Sequence, residues 1–190
     1  MDLCFLGVIK LKINNNKEST ELLRIIRRYK VKNLNPVIVK HDNDFRYNSK
    51  NKIITHDQME YEAIHINLLD KIKDLLMTKD VIGIDEGQFF PDLGEVCEDL
   101  ANQGKNIVIS ALNANYKRES FKSVLDIIPK CEKIINLQAI CYYCKEDASF
   151  TLRTTKDKEE ILIGGLEFYR PCCRECYANN SMKEIKKKLL

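Results

Sequence analysis

The chain has no apolar run as long as a membrane-spanning helix requires. Met1 to Ile13 is apolar in parts, but Lys10 and Lys12 interrupt it, and it has neither a basic leader nor a cleavage site, so it does not read as a signal peptide. There is no internal repeat and no low-complexity segment. Long runs of one charge are also missing. Basic residues gather at Arg24, Arg27, Arg28 and Lys30 and again at Lys183, Lys186, Lys187 and Lys188, but with no face of interleaved aromatics. Nucleic acid is therefore not an expected partner, nor is a membrane.

What is present is an ordinary globular composition. The 190 residues are 44% hydrophobic and 31% charged, with a net charge of +3. That length makes one domain, or one domain with a small module. Eight cysteines would suit a secreted disulfide protein, but four of them form Cys141-x-x-Cys144 and Cys173-x-x-Cys176. Without an export signal, that pattern points to metal in a reducing, cytoplasmic compartment. Each pair offers two thiolates across a tight turn, and together they suit a tetrahedral Cys₄ zinc site better than redox thiols or unrelated cysteines. Cys172 allows a ligand set shifted by one, but the spacing to Cys176 favours Cys173. Cys4, Cys97 and Cys131 read as small core residues.

Apolar periodicity gives the expected elements. Strands are expected over 3–13, 37–39, 81–85, 106–112 and 134–140. Helices are expected from a cap at Ser19 or Thr20, then over 67–77, 93–103 and 121–128, with Gly104 closing the third and Pro129 stopping the last. Residues 41–57 read as a loop. Strands alternating with helices argue an α/β fold with a parallel sheet. Beyond residue 140 the rhythm gives way to short strands and cysteine pairs.

The stretch Val81-Ile-Gly-Ile-Asp-Glu-Gly-Gln-Phe-Phe90 is the most informative. A buried strand delivers Asp85 and Glu86 to its carboxyl end, where open α/β sheets place their ligands. One carboxylate there can hold Mg²⁺ and the other can accept a proton. Two acids alone fit a solvated strand end better than a site, since strand-tip acids are common. The adjoining Gln88 and the aromatic pair Phe89-Phe90 shift the balance toward a site.

These residues add up to a family. From Ser19 to about Asn180 the chain closely resembles the type II thymidine kinases, the zinc-containing cellular and poxvirus class. The matching stretches are Ser19-Thr-Glu-Leu-Leu-Arg24, Arg27-Arg28-Tyr29, Asp44-Phe-Arg-Tyr47, Thr55-His-Asp57, Val81 to Asp92, Ser110 to Arg118, both cysteine pairs and Ile163-Gly-Gly165. The resemblance implies a RecA-like, P-loop-kinase-type α/β domain over residues 1–138. It also implies a zinc ribbon over 139–180 and a basic tail over 181–190. The ribbon would carry a lasso loop, roughly 145–172, that folds over thymidine. The implied reaction moves the γ-phosphate of ATP to the 5′-hydroxyl of thymidine. Glu86 would be the general base and Asp85 the strand-end acid tied to Mg²⁺. Ser19, Thr20, Asp44, Arg46 and Gln88 would lie toward ATP and metal. Phe89, Leu112, Tyr116, Phe121, Thr151, Ile163, Gly164 and Tyr169 would line the nucleoside pocket. The family also implies a homotetramer.

One family element is absent. The glycine-rich phosphate loop should precede Ser19, yet Lys12 to Thr20 contains no glycine, and Glu18 stands where lysine is expected. Three accounts compete. In the first, the chain is an active kinase that builds its phosphate clamp differently; in the second, it is a catalytically impaired homologue that binds nucleoside or assembles with an active paralogue; in the third, Met1–Lys17 is a misassigned start joined to an otherwise normal kinase. Because the resemblance begins abruptly at Ser19, the third account is the expectation carried forward.

Overall fold

A computed structural model describes residues 6–10, 17–42, 52–54, 60–155 and 168–180. Six parallel strands form one sheet, in the order β5-β2-β6-β7-β1-β8. These are β1 (Leu6–Lys10), β2 (Pro36–His41), β5 (Ile64–Ile66), β6 (Val81–Asp85), β7 (Asn106–Ala111) and β8 (Lys133–Asn136). A separate antiparallel pair joins β3 (Lys52–Ile54) to β4 (Glu60–Glu62). The helices are α1 (Lys17–Val31), α2 (Lys73–Met77), α3 (Leu93–Asn102) and α4 (Lys122–Ile127), with 174–180 as α5. No helix among the described residues is long and apolar enough to cross a membrane.

The sheet is apolar on both faces because helices cover both. Side chains alternate along each strand. Val81 and Val108 join Leu22, Leu23 and Ile26 of α1 on one face. Ile82, Ile84, Ile107 and Ile109 face the other way, into a larger core with Phe90, Leu93, Leu100, Val124 and Ile127. Fully burying one such side chain stabilises the fold by about 1.5–3 kcal/mol relative to exposure. Since all six strands run in parallel, the segments after β1, β6 and β7 all leave from one edge.

Four expectations need correcting. Helix α1 starts at Lys17, so Ser19 and Thr20 lie in its first turn and are not its cap. The 41–57 segment contains strand β3, too short to show a period. The 67–77 helix divides into a 3-10 turn at Asp70–Ile72 and the short α2. Residues 134–140 split between β8 and β9 (Ala139–Ile140), because β9 leaves the main sheet to pair with β10 (Asp147–Ala148). Gly104 does close α3, in the left-handed conformation at φ 86°.

The last part of the chain is built from hairpins. β11 (Phe150–Arg153) pairs antiparallel with β12 (Tyr169–Cys172). The Tyr142 N–H reaches the Pro171 carbonyl at 2.9 Å and holds the two cysteine-bearing turns together.

Candidate active site

The tip of β6 is the centre of the arrangement. Asp85 is almost fully buried there, at 1% exposure, and Glu86 follows at 7%. A buried carboxylate requires compensating donors. For Asp85 one donor is Ser19, whose Oγ donates to Oδ2 at 3.0 Å. The first turn of α1 is thereby tied to the end of a strand 66 residues away in sequence.

Glu86 adopts a left-handed backbone, φ 55° and ψ 41°. That conformation costs a non-glycine residue about 1–2 kcal/mol, and such strain gathers at functional sites. It turns the chain from the strand directly into a 3-10 turn over Gly87–Phe89. Gly87 is required by the close approach to β7. A Cβ added there would lie 2.8 Å from Ile109 Cγ2 and 3.3 Å from Ala111 Cβ.

Gln88 holds the Glu86 side chain in place. Gln88 Nε2 donates to Glu86 Oε2 at 2.6 Å, and Gln88 Oε1 accepts from the Leu112 N–H at 3.0 Å. Ser123 Oγ secures the Gln88 backbone by donating to its carbonyl at 3.0 Å. An acceptor at Oε1 and a donor at Nε2 fix the amide's orientation and present one face of the carboxylate. Phe89 packs against His41, with ring centroids 5.7 Å apart, while Phe90 enters the core and meets the same imidazole edge-on at 4.8 Å. Burial lowers the His41 pKa from its ordinary 6.5, outweighing the neighbouring Asp42.

The loop from Leu112 to Phe121 extends the site. Asn115 organises it: Oδ1 accepts from the Lys117 and Glu119 N–H groups at 2.9 and 3.1 Å, and Nδ2 donates to Glu119 at 2.9 Å. Tyr116, half-buried, faces the hairpin of β11 and β12. On that hairpin Thr151 is buried opposite Pro171, and Tyr169 pairs with Arg153. Hydrogen bonds therefore run from Glu86 through Gln88 to the Leu112 N–H, at the start of the loop that carries Tyr116, whose ring meets Arg153 beside Tyr169. Phe121 packs against the main core. Asp44, Arg46, Ile163 and Gly164 lie outside the described residues.

Sequence reading did not single out Arg153, Tyr177, Asn115 or His41. Arg153 could have been noticed as a cation between aromatic positions. Nothing in sequence spacing marks Tyr177, whose hydroxyl donates to the Tyr116 carbonyl at 3.0 Å.

The Sγ atoms of Cys141, Cys144, Cys173 and Cys176 all lie within 4.8 Å of one another. Tetrahedral zinc with Zn–S bonds of about 2.3 Å places its sulfurs about 3.8 Å apart, so the cluster fits that ion. The Cys176 N–H points at Cys173 Sγ at 3.4 Å. Burial works against ionisation of Cys141, yet the backbone N–H groups of Cys144, Cys173 and Tyr143 overcome it and hold the pKa at about 6. Cys172 is outside the cluster, and burial pushes its thiol up to about 12. The four sulfurs that come together thus include Cys173 and not Cys172.

The thymidine kinase family model matches residues 8–177. The match begins at Val8, upstream of Ser19, so the last three residues of strand β1 and the glycine-free segment lie inside it. This corrects the expectation of an abrupt start at Ser19. The chain is 45% identical to the thymidine kinase of Sheeppox virus over 160 residues, covering 84% of this chain and 89% of that one. It is 42% identical to thymidine kinase 1 of Dictyostelium discoideum over 163 residues, covering 84% and 72%. With the Variola virus thymidine kinase it shares 39% over 163 residues, covering 86% and 91%. Agreement along this whole length, from the second half of β1 to α5, means that the chain belongs to the thymidine kinase family.

Proposed function

We propose that this protein transfers the γ-phosphate of ATP to the 5′-hydroxyl of thymidine, with Glu86 as general base. The observation that carries the reading is the paired acids of β6. Ser19 engages Asp85 from the helix that follows β1, and Gln88 holds Glu86 while accepting from Leu112 at the start of the loop that carries Tyr116. Glu86 takes the hydroxyl proton as the 5′-oxygen attacks phosphorus. The bond between the γ-phosphorus and its bridging oxygen breaks, and ADP leaves with that oxygen. A carboxylate suits the proton transfer, since the proton becomes acidic only as the new bond forms.

Asp85 and Ser19 are the residues suited to Mg²⁺, directly or through water. The ion, when bound with the nucleotide, would neutralise charge on the phosphate oxygens. First-turn N–H groups of a helix have no partner within it, so the start of α1 is suited to phosphate even without glycines before it. Asp44 and Arg46 belong to the same role by family resemblance, and Ile163 and Gly164 to the nucleoside side. Zinc on the four cysteines would be structural, because four thiolates leave no open position. The full reading is a P-loop-kinase-type domain over 1–138 and a zinc ribbon with lasso loop over 139–180, in a cytoplasmic homotetramer.

The test is conversion of labelled thymidine to its monophosphate with ATP and Mg²⁺, beside Glu86→Gln. Turnover lost in the variant with thymidine binding retained supports the reading. Equal turnover in both proteins refutes the base assignment. If neither protein turns over but both bind thymidine, the chain is a nucleoside-binding homologue whose donor clamp has been lost.

A further inference from the structure

Arg153 lies between two aromatic rings carried on different segments. Its guanidinium carbon is 3.9 Å from the centre of the Tyr116 ring and 5.2 Å from that of Tyr169. Its Nη2 donates to the Tyr169 hydroxyl at 2.5 Å. The residue is 5% exposed. A guanidinium buried to this degree has given up much of its hydration, so these contacts are strong ones.

Neither segment depends on Arg153 for its backbone shape. Asn115 and Glu119 hold the Tyr116 loop through their own hydrogen bonds. The hairpin is held by the pairing of Phe150–Arg153 with Tyr169–Cys172. Tyr177 of α5 grips Tyr116 at its carbonyl and leaves the ring to be held by other contacts. Arg153 acts on the rings themselves. Its guanidinium carbon lies over one, and its Nη2 donates to the hydroxyl of the other.

We infer that Arg153 is a positioning residue for the nucleoside, fixing the Tyr116 and Tyr169 rings as two walls of one pocket shaped for a flat pyrimidine base. This rests on reading Tyr116 and Tyr169 as pocket residues. Lysine keeps the charge but loses both the plane and the fork, so Arg153→Lys removes the positioning while sparing the electrostatics.

The experiment measures thymidine affinity by calorimetry on zinc-loaded protein, for the unaltered chain, Arg153→Lys, Tyr116→Leu and the double variant. ATP affinity, zinc content and Tm are measured alongside. Arg153→Lys is expected to weaken thymidine binding roughly tenfold and lower Tm by about a few degrees, while leaving ATP affinity and zinc content unchanged. The double variant is expected to lose less affinity than the two single losses summed, because part of the Arg153 effect acts through Tyr116 and the rest through Tyr169. Additive losses, or a fall in Tm and ATP affinity alongside thymidine affinity, would overturn the inference in favour of a direct or purely structural role. So would full affinity in Arg153→Lys when Tyr116→Leu is weakened, and the pocket reading would then survive. Full affinity in Tyr116→Leu, or no thymidine binding by the unaltered chain, would remove both.

Discussion

Ser19 Oγ and Asp85 Oδ2 meet at 3.0 Å, joining the first turn of α1 to the tip of β6. The hydroxyl holds the carboxylate in one orientation where ATP and Mg²⁺ are proposed to bind. Hydrogen bonds to charged groups contribute about 1.5–3 kcal/mol. Ser19→Ala should therefore lower kcat/KM for ATP by roughly ten- to hundredfold, with KM for thymidine little changed. Steady-state kinetics with each substrate varied in turn checks this. An equal loss toward both substrates would place Ser19 elsewhere in the mechanism.

Gly87→Ala forces a methyl group against Ile109 Cγ2. Overpacking of this kind costs about 1–3 kcal/mol, and the shift falls on the residue directly after Glu86. The variant should melt lower and turn over more slowly. Adding Ile109→Ala removes the contacted methyl, so the double variant should be more stable than the two single losses summed. Thermal unfolding of all four proteins decides the matter.

His41 makes stability depend on pH with a definite sign. Its folded pKa lies below the ordinary 6.5, chiefly through burial. The folded state therefore binds fewer protons than the unfolded state near that pH. The stability it contributes is complete above about pH 6.5 and is lost as pH falls through the folded pKa. Unfolding curves between pH 7.5 and 5.5 should show a smaller acid-side drop in His41→Gln than in the unaltered chain. Parallel drops would assign the acid sensitivity to other groups.

The cysteine geometry separates ligand from neighbour. Cys173 is in the four-sulfur cluster and Cys172 is not. Cys173→Ser should abolish stoichiometric zinc, and Cys172→Ser should retain it, as elemental analysis would show. Chelation should weaken thymidine binding, since α5 carries both Cys176 and the Tyr177 hydroxyl that holds Tyr116. Thymidine affinity unaffected by zinc removal would disconnect the two.

The strands of the main core were legible because helices cover both sheet faces. Continuous apolar runs such as Val81–Ile84 and Ile107–Ile109 have few other uses. The acids at the β6 tip could be read for the same reason, as polar residues ending such a run. The gathering of Cys141, Cys144, Cys173 and Cys176 followed from spacing alone. Other features depend on long-range partners. β5 carries His65 between its two isoleucines and resembles a loop until β2 pairs with it. The break in 134–140 comes from β9 finding β10, which periodicity cannot show. Ser19 looked like a helix cap because its real partner is on another strand. The left-handed turn at Glu86 is set by packing of the next residue on Ile109, and Arg153 acquires meaning only when two distant tyrosines close around it.

Strand β1 precedes both its neighbours in the sheet by most of the fold. Leu6 pairs with Ile107 and Gly7 with Lys133. During synthesis this strand emerges first and has no sheet partner until β7 has been made. The β2–β6 pair can form earlier. The open edge of the growing sheet then presents unpaired backbone to other chains until β7 adds to β6, β1 adds to β7 and β8 pairs with β1. Nascent chains stalled before β8 should consequently depend more heavily on chaperones than chains stalled just after it.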